Sequence, residues 1–300
     1  MTALLSEAVA LFGSICRKST DALSDRDILI IDDDERVARG DAEKLTQQGW
    51  SVAKYSCRRL ETLAMRRALF VQHLKLEARI IHDQRGRLRS VLENFQPAAS
   101  YPDDIVQAQR LICLSENVPD SVQGLGWAFD VMAVGVRVLG IAHLANEGRY
   151  VFGFREIIDG LANINRVSKD DHYTLCRLRG FKSSYRKKDW AGIPDKEELF
   201  QVRRVIKRLG VDVDCNILAV DKMRSKATLT ETANGYLALR AAEARYWGYS
   251  ESGSADKLEF SSLKTRLAKA LFRPQNYANE FKSVGGRFQK MLSRLEQISR

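Results

Sequence analysis

Two aspartates separated by one residue, Asp25 and Asp27, follow the pair Gly13-Ser14 after a short spacer. Alternate residues of a β-strand point to the same face, so the two carboxylates are predicted to bind one or two divalent cations together. Gly13 and Ser14 directly follow an apolar run, residues 8–12, where a tight turn directs backbone N–H groups at a phosphate. These residue types therefore predict a site for a metal–nucleotide complex.

The order of these features resembles the nucleotidyltransferase superfamily related to DNA polymerase beta. The signature of that superfamily is an apolar strand, Gly-Ser, a spacer and Asp-x-Asp in the next strand. Arg17 stands where the family has the Arg of Gly-Ser-x-x-Arg-Gly. The resemblance implies that Gly13, Ser14 and Arg17 bind the triphosphate of an NTP. It also implies that Asp25 and Asp27 bind Mg²⁺ and are the catalytic residues.

A third carboxylate is the point at which the sequence departs from this family. In active relatives the strand after the first helix supplies it, and it helps to bind the catalytic metal and to deprotonate the attacking hydroxyl. The corresponding strand here, residues 49–56, contains no Asp or Glu, and Ser51 takes the expected position. Glu61, near a helix start, and Asp83, at the far end of a long helical region, are alternatives. Both are more typical of ordinary surface carboxylates.

Apolar runs and helical spacing predict an α+β fold that begins with a small mixed-sheet nucleotidyltransferase-like domain over residues 1–96. The acidic residues 32–35 are interpreted as the N-terminal cap of a helix. The segment Leu69–Glu77 resembles the helix that closes small members of the family. The predicted elements are strands 8–12, 27–31 and 51–56, a phosphate loop with a short helix over 13–22, and helices 36–48 and from about 59.

Beyond a linker that contains Pro97 and Pro102, the chain is mostly helical by its spacing of apolar residues. We predict a helical bundle over residues 103–190 and a basic helical region over 191–300. A second Asp-x-Asp pattern, Asp212 and Asp214, has no phosphate loop beside it. A polar turn is the favoured interpretation of that pattern, ahead of a metal site.

The predicted bundle resembles the HEPN-like domains that accompany many small nucleotidyltransferases. Some HEPN domains are ribonucleases that use Arg, a short spacer and then His, a spacing found in Arg137 and His143 and again in Arg166 and His172. A pair on one helix face would orient a 2′-hydroxyl and stabilise phosphate charge. Because the pattern is short and His143 lies in an apolar segment, a packed histidine is the stronger interpretation.

Composition is that of a soluble globular protein. The 300 residues suffice for two domains with hydrophobic cores, and 45% hydrophobic with 29% charged residues argues against disorder. We expect no apolar run as long as a membrane span, and the N-terminus lacks the basic region of a signal peptide. Five scattered cysteines without a Cys-x-x-Cys pair favour reduced thiols over disulfides or a zinc site. A cytoplasmic location is therefore predicted.

Two functions follow from these features. The leading hypothesis is a Mg²⁺-dependent nucleotidyltransferase that passes a nucleoside monophosphate from an NTP to an acceptor hydroxyl on a nucleic acid, a protein or a small molecule. The alternative is a catalytically weak or inactive regulator with the same fold, in a toxin–antitoxin or phage-defence system, and Ser51 is its main support. The acceptor and the oligomeric state stay open, so a protein partner or a homo-oligomer is compatible with either.

Positive charge is concentrated near the C-terminus. The net charge is +10, yet residues 1–96 contribute only +2, from 16 basic and 14 acidic side chains. The segment from Lys257 to Arg300 contributes +7, from 10 basic and 3 acidic side chains. Such a cluster favours binding to a polyanion, most simply a nucleic acid.

We expect binding of an RNA or DNA oligonucleotide to weaken by orders of magnitude between roughly 50 and 200 mM salt, because several phosphate contacts release counterions. Filter binding with a labelled oligonucleotide measures this dependence. Deletion of residues 257–300 is expected to remove most of the affinity and to flatten the salt dependence. Affinity that survives the deletion unchanged would identify the segment as ordinary protein surface.

Overall fold

The computed structural model describes residues 4–17, 23, 25–164, 166–213 and 216–218, together with residues 236, 237, 240, 241, 243, 244 and 247. They form a mixed α+β structure with a small four-stranded sheet near the N-terminus and a helical region after it, which confirms the predicted fold class. The basic segment 257–300 lies outside these residues. The chain divides into two compact units, residues 1–102 with 141–157, and residues 103–140 with 158–300.

The sheet of the first unit consists of β1 Ala8–Leu11, β2 Asp27–Ile31, β3 Ser51–Tyr55 and β4 Arg79–Asp83. Its strand order is β3-β2-β1-β4. β1 is antiparallel to both of its neighbours, whereas β2 and β3 are parallel. The apolar runs that predicted the first three strands are confirmed as strands. Because β1 and β2 are antiparallel, the last residue of β1 and the first residue of β2 lie close together, at the same edge formed by the ends of the strands.

β4 corrects the sequence prediction, which assigned this segment to a long helical region. Asp83 pairs with Ala8, and Arg79 pairs with Leu11, with a bulge between Val9 and Ala10 of β1. The side of β1 that faces away from β2 offers backbone N–H and C=O groups to another strand. The two adjacent β-branched isoleucines of β4 also suit a strand better than a helix. Asp83 therefore belongs to a strand.

Among the described residues, five helices lie entirely within the first unit: α1 Ser14–Arg17, α2 Glu35–Gln47, α3 Cys57–Met65, α4 Leu69–Glu77 and α5 Arg87–Asn94. The predicted acidic cap is confirmed, since the carboxylate of Asp34 accepts a hydrogen bond from the N–H of Arg36 at 2.8 Å. Ser56 caps α3 through the N–H of Arg59 in the same way. Each of these two helices therefore begins after a residue whose side chain accepts a hydrogen bond from the first turn.

Both faces of the sheet are covered. On one face, Val9, Ile28 and Ile30 form a buried cluster with residues of α2. On the other face, Ala10, Leu29 and their neighbours pack against α3, α4 and α5. Successive residues of a strand point to opposite faces, so a strand buried on both sides needs a continuous apolar sequence, as β1 and β2 have.

A buried carboxylate holds the residues that precede β1. Oδ2 of Asp41, on α2, accepts hydrogen bonds from the N–H groups of Leu5 and Ser6 at 2.7 and 2.8 Å and from the Ser6 hydroxyl at 2.8 Å. Asp32 accepts a further bond from the N–H of Glu7 at 2.8 Å. Burial opposes the ionisation of Asp41, but these hydrogen bonds outweigh it and hold its pKa below the ordinary value. These hydrogen bonds hold the chain just before β1 and therefore fix where the strand enters the sheet.

The rest of the described chain is mainly helical: α6 Pro102–Cys113, β5 Asn117–Pro119, α7 Val122–Asn146, α8 Phe154–Asn163, α9 Lys169–Lys187, α10 Lys196–Arg208 and β6 Asn216–Leu218. β5 and β6 pair in parallel. Contrary to the sequence expectation, α7 is long and apolar enough to span a membrane by length and composition. Its apolar window is 83% buried inside the protein, which is the pattern of a core helix in a soluble protein.

A buried ion network organises the second unit. Asp130 on α7 is completely buried, and its two carboxylate oxygens accept hydrogen bonds from Arg186 on α9 at 2.8 Å and from Arg240 at 2.5 Å. Burial opposes the ionisation of Asp130, but the two guanidinium groups outweigh it and hold its pKa below the ordinary value. Asp130 therefore pairs with the exposed Arg186 and with the buried Arg240, which is also paired with the buried Glu243 at 2.8 Å.

We expect Asp130→Asn to lower the free energy of unfolding by about 3–5 kcal/mol, because the buried Arg240 loses one of the two carboxylates that compensate for its burial. The matched control is Asp120→Asn, which breaks an exposed ion pair with Lys196 (2.6 Å) in the same unit. That change is expected to stay within about 0.5 kcal/mol. Urea unfolding followed by far-UV circular dichroism compares the two, and equal losses would contradict the role given to Asp130.

Candidate functional site

A tight turn at the end of β1 brings the Gly-Ser pair against the Asp-x-Asp segment. Gly13 has φ +74°, a backbone conformation suited to glycine, and the N–H of Phe12 before it bonds to the carbonyl of Asp27 at 3.3 Å. A Cβ atom on Gly13 would lie 2.8 Å from Oδ2 of Asp27. The hydroxyl of Ser14 donates to the carbonyl oxygen of Asp25 at 3.2 Å. All four predicted residues therefore meet at one edge of the sheet.

The two aspartates reach this edge in different ways. β2 begins at Asp27, whereas Asp25 lies in the exposed loop before the strand. The strand alternation from which the alignment of the two side chains was predicted therefore does not extend to Asp25, which belongs to a loop. Asp27 is half-buried and packed against the Gly13 turn, so its position is the better defined of the two.

Ser51 lies directly beside Asp27. It is the first residue of β3 and the register partner of Asp27 in the parallel β2–β3 pair, and its N–H donates to the carbonyl of Arg26 at 2.9 Å. Register partners on neighbouring strands point to the same face, about 4.8 Å apart in the hydrogen-bonding direction. An exposed hydroxyl therefore stands next to the Asp27 carboxylate.

Neither alternative carboxylate joins this site. Asp83 lies at the opposite edge of the sheet, paired with Ala8, and its carboxylate accepts a hydrogen bond from the N–H of Arg89 in α5. Glu61 is exposed on α3 and lines a separate surface cavity with Ser90 of α5. Within the part of the chain that the structure describes, Asp25 and Asp27 form no three-residue metal-ligating group with another Asp, Glu, His or Cys.

Arg17, predicted to balance phosphate charge, forms an ion pair within the protein. Its guanidinium group bonds to Glu77 at the end of α4, and His73 contacts the same carboxylate oxygen at 2.8 Å. Burial opposes the ionisation of Glu77, but the hydrogen bonds from His73 and Arg17 outweigh it and hold the pKa of Glu77 below the ordinary value. A phosphate at this position would share Arg17 with Glu77.

His73 and Glu77 were not identified from the sequence as site residues. The ring of His73 stacks on Phe152, with ring centres 4.2 Å apart, and meets the edge of Phe12 at 5.6 Å. The one signal in the sequence is that His73 and Glu77 stand four residues apart on a helix, a spacing that places them on the same face. Their partner Arg17 is distant in sequence and could not be inferred.

A second polar cluster occupies the opposite edge of the sheet. Ligand atoms of Glu7, Asp33 and Cys57 all lie within 4.8 Å of one another, which is close enough for a metal ion. Arg87, however, lies 3.0 Å from Asp33 and 3.4 Å from Glu7. Asp33 also accepts a hydrogen bond from the N–H of Cys57 at 2.9 Å, so its carboxylate helps to cap the N-terminus of α3. The cluster is explained by an arginine that balances two carboxylates.

The predicted nuclease pairs do not share a helix face. Arg137 and His143 both lie on α7, but six residues on an α-helix correspond to a rotation of about 600°, which leaves them roughly 120° apart. Arg166 precedes the start of α9, whereas His172 lies on that helix and bonds to Asp159 at 2.6 Å. Neither pair therefore has the alignment that the nuclease alternative requires, and a packed histidine had been the favoured interpretation.

The second Asp-x-Asp pattern is described only in part. Asp212 is exposed and forms an ion pair with Lys207 at 2.7 Å, which fits the polar turn that was favoured. Asp214 lies outside the described residues.

Comparison with protein families, with characterised proteins and with solved structures found no match to this chain. The chemistry of the site therefore has to be inferred from its residues alone. The turn offers backbone N–H groups and a hydroxyl, and the adjacent loop and strand offer two carboxylates. This donor set suits an anionic ligand that carries a hard divalent cation.

We expect Gly13→Ala to destabilise the protein more than Gly49→Ala, by about 1 kcal/mol or more, because only the former adds a close contact. Both glycines have positive φ, +74° and +80°, but a Cβ on Gly49 meets nothing within 4 Å. Backbone strain alone is expected to cost each variant about 1–2 kcal/mol. Urea unfolding followed by circular dichroism measures the difference.

The double variant Gly13→Ala/Asp27→Ala provides the internal check. Removal of the Asp27 carboxylate abolishes the 2.8 Å contact, so the cost of Gly13→Ala in that background should fall to that of Gly49→Ala. A cost that is unchanged by Asp27→Ala would show that the turn does not press on this carboxylate.

Proposed function

We propose that this chain is a cytoplasmic nucleotidyltransferase that binds an NTP with Mg²⁺ and transfers a nucleoside monophosphate to an acceptor hydroxyl. One observation carries the proposal: the glycine turn after β1 lies directly against Asp27, while the Ser14 hydroxyl bonds to the main chain of Asp25. A phosphate-binding turn and two carboxylates are thus built into one edge of the sheet.

Each residue is proposed to bind or position a particular group. The backbone at Gly13 and the hydroxyl of Ser14 contact the triphosphate, where any side chain at Gly13 would occupy the space beside Asp27. Arg17 contributes positive charge next to the triphosphate while it remains paired with Glu77. Glu77 and His73 act on Arg17 by orienting its guanidinium group. Positioning and charge balance are most of what phosphoryl-group chemistry needs from a protein.

Asp25 and Asp27 are the residues that would hold magnesium. Their carboxylates are hard oxygen ligands, and Mg²⁺ is commonly held by one or two protein carboxylates together with phosphate oxygens and water. When bound, the ion supplies charge neutralisation at the phosphates. Asp25, in the exposed loop before β2, and Asp27, at the start of that strand, would together hold the ion.

Ser51 favours a second function, the catalytically weak or inactive regulator. A serine hydroxyl with its ordinary high pKa is a poor general base, and it adds no negative charge beside Asp27. The acceptor would then lack a group to take its proton, although the nucleotide could still bind. Such a protein would respond to nucleotide and act on a partner, as a regulator in a toxin–antitoxin or phage-defence system does.

The acceptor is proposed to be attached to, or part of, a nucleic acid. The support is the charge of +7 on residues 257–300, which attracts phosphates irrespective of sequence. A protein partner or a homo-oligomer is compatible with the same site.

We expect isothermal titration calorimetry to show Mg²⁺-dependent binding of an NTP that Asp27→Ala weakens by at least about tenfold, or roughly 1.4 kcal/mol. Transfer from NTPs labelled at the α-phosphate into cellular RNA and protein is expected to require Asp25 and Asp27. The matched control is Glu61→Gln, an exposed carboxylate on α3 that lines a different cavity. If no NTP binds with or without magnesium, both proposed functions are wrong.

Ser51→Asp separates the two functions in the same assays. It places a carboxylate beside Asp27 on the same face, so it should lower stability without Mg²⁺ and regain it when Mg²⁺ is added. A regulator that lacks only its general base gains transfer activity in this variant. An active wild-type enzyme that has no need of this carboxylate gains nothing. Tight NTP binding without transfer in either protein would favour the regulator.

A further inference from the structure

A cysteine, a histidine and an aspartate of the second unit form a connected group that the proposed nucleotide site does not use. Nε2 of His172 lies 2.6 Å from Oδ1 of Asp159, and Nδ1 of the same ring lies 3.8 Å from Sγ of Cys176. Sγ is also 4.0 Å from Nε2, but that nitrogen is held by the aspartate. Thiol, imidazole and carboxylate therefore follow one another in the order in which a nucleophile, a base and an orienting group act.

Two helices build this group. His172 and Cys176 stand four residues apart on α9, a spacing that brings side chains together on one helix face, and Asp159 reaches them from α8. The carboxylate bond to Nε2 places the proton of the neutral imidazole on that nitrogen, so Nδ1, 3.8 Å from Sγ, is the nitrogen able to accept a proton from the thiol. The helical backbone thus holds the thiol next to a base.

The group is accessible from solvent. The side chain of Asp159 is 48% exposed, that of His172 is 27% exposed, and Cys176 is half-buried. Of the neighbouring charged groups, Arg177 on α9 bonds to Glu198 of α10 at 2.8 Å and is thereby engaged away from the thiol. A small reagent can reach the sulfur, which contacts the imidazole of His172.

We propose that Cys176 is a reactive thiol that forms a mixed disulfide with a small disulfide, with His172 as its base and Asp159 as the positioning residue. The Sγ proton moves to Nδ1 of His172, and the thiolate attacks one sulfur of the small disulfide. A bond forms between that sulfur and Cys176 while the original sulfur–sulfur bond breaks. The departing thiolate takes the proton from His172, so one thiol and one mixed disulfide replace the starting thiol and disulfide.

Other cysteines lie in environments that suppress such reactivity. Burial, with the nearby Glu116, raises the pKa of Cys113 to about 11, and burial also raises the pKa of Cys16 and of Cys57. A thiol in these settings carries almost no thiolate at neutral pH. Cys215 lies outside the described residues. Selectivity for Cys176 is therefore the property to test.

The experiment uses the full chain and glutathione disulfide as the probe, with peptide mass spectrometry to identify the modified cysteine. We expect Cys176 to be the first residue modified, and its rate to reach half its plateau below about pH 7.5, where an ordinary thiol does so near pH 8.5. His172→Gln should return that half-plateau pH toward about 8.5 and lower the rate at pH 6 roughly fivefold, after allowing for the higher nucleophilicity of a more basic thiolate. Asp159→Asn should shift the profile in the same direction.

Two controls keep the result interpretable. Asp120→Asn removes an exposed carboxylate of the same unit from an unrelated ion pair and should leave the profile of Cys176 unchanged. Circular dichroism of each variant shows that the helices persist. The proposal is overturned if Cys113 or Cys16 reacts as fast as Cys176, or if His172→Gln leaves the pH profile of Cys176 where it was.

Discussion

The pairing of β1 with strands on both of its sides is the constraint on which the first unit depends. Val9 and Ala10 are completely buried, and they serve opposite faces of the sheet. Because every backbone group of a buried central strand must find its partner in a neighbouring strand, β1 cannot shift by one residue without exchanging its two apolar faces. The Asp41 carboxylate on α2 holds the chain just before this strand. The register of β1 therefore also fixes where the turn at Gly13 lies relative to β2.

This constraint explains why the two edges of the sheet collect different chemistry. At the edge where β1 begins, Glu7 and Asp33 surround Arg87, and the carboxylates serve as structural partners of an arginine and of backbone N–H groups. At the edge where β1 ends, the chain turns at Gly13, and this turn rather than an arginine lies against Asp27. Acidic residues that look equivalent in the sequence therefore lie in different environments, because some are near the start of β1 and others are near its end.

Much of the fold could be predicted because its signals are local. The apolar runs of β1 and β2, the cap at Asp34 and the helix Leu69–Glu77 all depend on neighbouring residues in the sequence. β4 could not be predicted in the same way, since its strand character comes from the open edge of β1 about seventy residues earlier. β5 and β6 are short and pair across about a hundred residues, so neither carries enough pattern of its own.

The candidate site shows the same division between local and distant information. The proximity of the Gly13-Ser14 turn to Asp27 could be predicted from spacing, and the register explains why Ser51 stands beside Asp27. The ion pair of Arg17 with Glu77 depends on where α4 ends in space, which no local pattern specifies. The thiol group of the second unit is intermediate, because the four-residue spacing of His172 and Cys176 is visible but Asp159 arrives from another helix.

The distribution of tryptophans has a practical consequence. Of the four in the chain, Trp127, Trp190 and Trp247 belong to the second unit, and the last two lie edge to face at 5.9 Å. Trp50 is the single tryptophan of the first unit, and the guanidinium of Arg26 lies 4.1 Å from its ring centre, one residue before Asp27. Any movement of that loop changes the charge and polarity around one indole ring. A variant in which Trp50 is the only tryptophan would carry one intrinsic fluorophore next to the loop that precedes β2. Its fluorescence emission would report movement of that loop without an added label.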